Sequence, residues 1–251
     1  MNKTTDIRFP TANGYMTEKT RTNYIESAIK TGVLPEDAHR IPEIVSLSAP
    51  ENCRNPIQFW QLFSILGPER IVAIVGDFYT RVFADEDWFT SVFARVGGVE
   101  HHTNTQASMW ADVMGGGPYY HGAEFRLSFH HTHNAHQLMD AKGAKRWVEL
   151  MVRTLDASGE RMTHDPRVRP SLNTFLAHFL GKYAHEFAFE NRESFGETNP
   201  PWRRQVNFRN MTESAIEALT EDELREGLEG RGVDVSRFGE KQDLIRKAIG
   251  L

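Results

Sequence analysis

The chain has 251 residues, 39% of them hydrophobic and 11% aromatic, which suffices for one large domain or a mid-sized domain plus a small one. A net charge of −5 excludes general attraction to nucleic acid or an anionic membrane, and a single cysteine, Cys53, excludes an internal disulfide or a cysteine zinc cluster. The polar start has no apolar stretch of signal-peptide length and no run approaches the roughly 20 residues of a membrane helix, so an intracellular, cytoplasmic setting with no membrane partner is expected, organelle targeting being left open.

Residues 1–55 are polar and broken by Pro10, Pro35, Pro42 and Pro50, with short helices expected at Glu18–Lys30 and Pro35–Leu47. They read as an extension packed against a main domain. From Pro56 the texture changes to helical periodicity. Pro68 opens a helix whose stripe is Ile71, Val75, Phe78 and Val82, with Tyr79 beside it. Gln106, Met109 and Val113 mark another helix, stopped by Gly115, Gly116, Gly117 and Pro118. Phe125 to Phe129 alternates with period two and is the one run that tempts a strand reading. Trp147, Leu150, Met151 and Leu155 mark a third helix. Leu172, Phe175, Leu176, Phe179, Leu180, Tyr183 and Phe187 mark a fourth, long and ring-rich enough to back a core. Residues 191–212 are polar and interrupted by Pro200 and Pro201, which suits a linker.

Histidines concentrate between 101 and 136: His101, His102, His121, His130, His131, His133 and His136. Neutral imidazole ligates iron, zinc or copper, whereas the bland alternative is a solvated polar loop. Two sharper readings compete. The run His131, His133, His136 is close to the H-x-H-x-D-H signature of metallo-β-lactamase-like hydrolases, but Ala135 stands where that signature has its aspartate, and the surroundings lack strands. The other reading is a haem site, which needs one imidazole facing a wall supplied by earlier helices.

The order of the segments supports the second. Phe78-Tyr79-Thr80-Arg81-Val82-Phe83, then Asp87-Trp88-Phe89-Thr90-Ser91-Val92-Phe93, then Met114-Gly115-Gly116 with Pro118 and Tyr120, then Arg146-Trp147-Val148-Glu149-Leu150-Met151, resemble group 2 truncated haemoglobins, particularly the plant type. The resemblance covers roughly residues 60–190, about half the chain. It implies haem b with its iron, and dioxygen, nitric oxide or carbon monoxide as ligands. It also leaves nitric oxide dioxygenase or peroxidase-type activity open. By the same resemblance Tyr79, His102, Gln106 and Trp147 line the gas side of the haem and Phe93 packs on its edge. The family's iron ligand lies five residues before an aliphatic position, which selects His133 ahead of Leu138 and requires one extra residue near Asp140–Gly143. His130, His131 and His136 remain alternatives. His102 is also a candidate sixth ligand when no gas is bound.

Residues 213–251 form a second unit. Thr220 and Glu223 have capping-box spacing before one short helix, a glycine turn follows at Gly230 and Gly232, and Leu244, Ile245 and Ile249 mark a second helix. This helix-turn-helix resembles the SAP motif, a module often associated with DNA. Its acidic residues outnumber its basic ones, which favours a protein partner over nucleic acid. The sequence thus predicts an all-α protein: an amino-terminal extension (1–55), a truncated-globin-like helical sandwich (56–190), a linker (191–212) and a SAP-like module (213–251). The functional alternatives are a haem-based gas sensor acting through that module and a histidine-ligated metal hydrolase.

Overall fold

A computed structural model describes residues 13–203 and 206–251 of the chain. The chain divides into two compact units, Met1–Trp202 and Arg203–Leu251. Among the described residues every regular element is helical. The first unit contains α1 (Thr17–Lys30), α2 (Pro42–Val45), α3 (Phe63–Phe83), α4 (Asp87–Ala94), α5 (Val99–Val113), α6 (Ala123–Phe129), α7 (Ala141–Met162) and α8 (Val168–Glu186).

Local chemistry sets the helix boundaries. Gly67 takes φ +66° and breaks the helical path inside α3, so Pro68 opens the second segment, where its missing N–H leaves no bond unmade. The stripe Ile71, Val75, Phe78 and Val82 is then fully buried, and α3 packs on α5 and α7. Gly115, at φ +90°, turns the chain after α5. A Cβ at Gly116 would come within 2.4 Å of the Phe63 ring, so this corner closes tightly on the start of α3. The Phe125–Phe129 run is helix, not strand. Phe125 and Phe129 sit four apart on one outward face, and Leu127 between them turns inward. Asp140 caps α7 by accepting a hydrogen bond from Gly143 N at 2.7 Å. A side chain at Gly143 would strike the Leu138 carbonyl.

The amino-terminal segment shares the main core. Met16, Ile25, Ala28, Leu34 and Ile44 join the same buried cluster as Phe59, Trp110 and Phe175. Its anchor is Asp112 of α5, wholly buried, whose carboxylate accepts the backbone N–H of Met16 at 2.8 Å, Tyr15 at 3.1 Å and Tyr120 at 3.1 Å. The Thr17 hydroxyl donates to the Asp112 carbonyl. Lys19 of α1 pairs with Glu124 of α6, which also meets Lys182 of α8 at 3.4 Å. After α8 the chain is irregular but not free: Phe195 is buried with its ring 5.9 Å from Trp147, and Asn199 Nδ2 donates to the Ile57 carbonyl at 2.7 Å.

His178 of α8 gives the fold an acid sensitivity. Its ring stacks on Phe59 (5.7 Å, 24°) and meets Tyr24 edge-on at 5.4 Å. Burial, with Lys182 nearby, pushes its imidazole down to about 4 from the usual 6.5. Between those values the unfolded chain holds a proton that the folded one refuses. Stability is therefore expected to fall as pH drops from 6.5 towards 4, by up to about 1.4 kcal/mol per pH unit from this group. Urea midpoints measured across that window check this, and His178→Gln should flatten the slope.

The second unit has its own core of Phe208, Ile216, Leu224, Leu228, Leu244 and Ile245, supplied by α9 (Glu213–Glu217), α10 (Glu221–Glu229) and α11 (Lys241–Ile249). The capping box is present: Glu223 accepts from Thr220 N at 2.7 Å while the Thr220 hydroxyl accepts from Glu223 N at 3.2 Å.

Candidate functional site

A cavity of about 340 Å³ opens within the first unit, a size within the ordinary range for a bound cofactor. Long helices set one wall. Tyr79 lies on α3, four residues before its end, Phe93 on α4, His102 and Gln106 one turn apart on α5, and Trp147 in the second turn of α7. All five line the cavity. Trp147 is held by its neighbour: Arg146 Nε donates to Asp85 Oδ2 at 2.7 Å and its Nη1 to Glu149 at 3.0 Å, fixing α7 to the end of α3. The Arg146 hydrogen bonds keep the Asp85 carboxyl below the usual carboxylate range.

The polar groups on this wall are already ordered. The Tyr79 hydroxyl donates to Gln106 Oε1, which leaves the Gln106 amide N–H groups without a protein partner among the described residues. Burial raises the Tyr79 phenol far above its ordinary value, so it stays a neutral O–H donor. The His102 ring stacks on Tyr79 (5.1 Å, 27°), and its Nε2 lies 2.9 Å from the Phe93 carbonyl. Burial lowers the His102 pKa, so the ring is neutral and donates Nε2–H to that carbonyl. It is thereby turned towards the corner between α4 and α5.

A second group of lining residues comes from α6 and the chain after it: Leu127, His130, His131, Ala135 and Leu138. His130–Asn134 form a π-helical turn that continues α6. His130 and His131 are both desolvated by burial, which lowers both pKa values, that of His131 to about 3. Their settings differ. His130 feels His102 and His101 of α5 electrostatically, whereas the His131 ring packs 4.2 Å from Tyr183 of α8. His133, favoured by spacing, is placed on the surface. Its ring stacks on exposed Phe129 (4.2 Å, 14°), its Nδ1 lies 3.1 Å from the Phe129 carbonyl, and it does not line the cavity. His136 is exposed beside Phe187.

The remaining walls are apolar, with Trp110, Phe175, Leu176 and Phe179 closing the interior side. Among the described residues no three His, Cys, Asp or Glu side chains converge as a metal site. The histidine run is also helical where the hydrolase reading needs a strand. No helix of the described residues is long and apolar enough to cross a membrane.

Residues 61–180 match the bacterial-like globin family. Over 98 residues the chain is 32% identical to two-on-two hemoglobin-3 of Arabidopsis thaliana, an alignment that takes in 39% of this chain and 55% of that protein. The chain thus spans little more than half the length of this relative. Over the matched residues the all-helical first unit is consistent with a truncated-globin fold.

Proposed function

Starting from a truncated-globin fold, we propose that the cavity holds iron protoporphyrin and takes up dioxygen or a related diatomic gas. One observation carries the reading: a single cavity brings together a neutral imidazole, His130, and a wall of ordered donors around Tyr79 and Gln106. The residues fit the group. Phe89, Phe93, Leu138 and Phe179 offer apolar contact to a flat ring, and a buried neutral imidazole has the lone pair that iron needs. Iron protoporphyrin, when bound, would supply a metal that a lining imidazole could hold and that a diatomic gas could bind.

The chain's own residues account for the rest. His130 would be the iron ligand because it lines the cavity, which His133 and His136 do not. His102 takes a positioning role: its Nε2–H is engaged by Phe93, and its ring braces Tyr79. Gln106, held by the Tyr79 hydroxyl at its Oε1, presents its amide N–H groups as the donors that a polar diatomic guest meets, with the indole N–H of Trp147 on the same wall. Apolar rings behind them exclude water and strengthen those hydrogen bonds. Such a wall retains a polar guest and releases it slowly, which suits nitric oxide dioxygenase or peroxidase-type chemistry better than oxygen delivery.

The test is the absorption spectrum of the purified full chain: ferric, reduced, then exposed to carbon monoxide. A Soret band that shifts with carbon monoxide is expected. No such band after added haem would sink the proposal. Within it, Tyr79→Phe should raise the dioxygen dissociation rate about tenfold, the worth of one buried hydrogen bond. Stopped-flow displacement of dioxygen by carbon monoxide reads that rate.

A further inference from the structure

The chain does not leave the cavity at the end of α8. Ala188 takes a left-handed φ of +55°, costly for a residue with a Cβ, and the Phe189 N–H closes on the Ala184 carbonyl at 3.0 Å. The chain is thereby folded back, and Phe189 adds its ring to the cavity lining. Further on, Phe195 is 2% exposed although it belongs to no helix. Hydrogen bonds to α8 hold it there. Asn173, its amide oriented by Arg169 Nε at 3.0 Å, donates to the Glu197 carbonyl at 2.7 Å, and the Thr174 hydroxyl accepts from Asn199 N at 2.8 Å. Asn173 and Thr174 are both buried, so this irregular stretch has its path specified from the core outwards. What Phe195 touches is the indole of Trp147, with ring centroids 5.9 Å apart at 86°, edge to face. Phe78 of α3 meets the same indole at 5.1 Å.

We propose that Phe195 is a positioning residue of the gas site, fixing the indole of Trp147 so that its N–H stays directed at a bound guest. Trp147 is only partly buried and borders the cavity, so its direction depends on the rings packed behind it. A donor retains a polar guest only while its N–H keeps that direction. Phe78 arrives with the register of a long helix, whereas Phe195 is delivered by a stretch that lies beyond residue 180, where the globin match ends. The wall is then built from more of the chain than the globin segment, with residues 188–199 as its support. The inference rests on the haem reading of the cavity and extends it to a residue that does not itself line the cavity.

The experiment is a double-mutant cycle on the full chain, read by stopped-flow displacement of dioxygen by carbon monoxide. Phe195→Ala should raise the dioxygen dissociation rate about fivefold, most of the worth of one hydrogen bond. Phe195→Leu keeps more of the volume and should raise it about twofold, which serves alone if the alanine variant does not fold. In a Trp147→Phe background both substitutions should leave the rate where Trp147→Phe alone sets it. A second readout needs no haem. The fluorescence of Trp147, taken each time as the difference between haem-free chains with and without Trp147→Phe, should move to longer wavelength when Phe195 is replaced. An unchanged rate, an equal rise with and without Trp147, or an unmoved Trp147 emission would overturn this inference and leave the haem reading standing. No Soret band in the unmodified chain after added haem would overturn the haem reading itself.

Discussion

His130→Ala is expected to abolish the carbon monoxide-shifted Soret band of the reconstituted chain, while His133→Ala leaves it in place. The physical ground is direction. Of the four histidines between 130 and 136, only His130 and His131 line the cavity, and His131 is packed against Tyr183. His133 stacks on exposed Phe129 and lies outside the cavity lining. Without an imidazole ligand haem would lose its bond to the chain, and added free imidazole should restore the band in His130→Ala by filling the vacated volume. Loss of the band in His131→Ala, with retention in His130→Ala, would move the ligand by one residue. Loss in His133→Ala alone would return it to the position that spacing selects and show that the turn rewinds on loading.

The second large effect concerns stability. Asp112→Ala should destabilise the chain by about 4 kcal/mol, because three backbone N–H groups lose their acceptor and each such loss costs about 1–3 kcal/mol, the partly exposed Tyr15 amide least. That is a large fraction of the roughly 5–15 kcal/mol that a domain has in total. Asp112→Asn keeps the volume and one carbonyl oxygen and should cost about half as much. Urea unfolding followed by tryptophan fluorescence measures both. A loss below about 1 kcal/mol in Asp112→Ala would show that water or a shifted side chain takes over those donors. The same substitution should weaken porphyrin binding, since Tyr120 hangs from this carboxylate.

Much of this was legible in the sequence where long helices carry the register. Tyr79, Gln106, His102 and Trp147, singled out from sequence, all line one cavity, and each sits on a regular helix, where a count of residues is also a direction in space. The Pro68 helix start and the Thr220–Glu223 capping box were legible for a similar reason: their signals lie within a few residues of one another. The histidine run shows where such counting stops. A π-helical turn advances more residues per turn than an α-helix, so spacing along it no longer says which imidazole faces inward. Phe125–Phe129 misled for a related reason, as two rings four apart with a leucine between them satisfy period two as well as one helical turn. The grip of Asp112 on residues 15 and 16 spans almost a hundred positions and leaves no local trace.

That grip has a consequence for variation among relatives. A Cβ at Gly14 would lie 2.1 Å from the Asp112 carboxylate, so the two positions compete for one volume. Relatives that keep an acid at 112 should keep glycine at 14, and those that lose the acid should be free to enlarge residue 14. The match to the bacterial-like globin family begins at residue 61, but the segment that must evolve in step with it begins near 14.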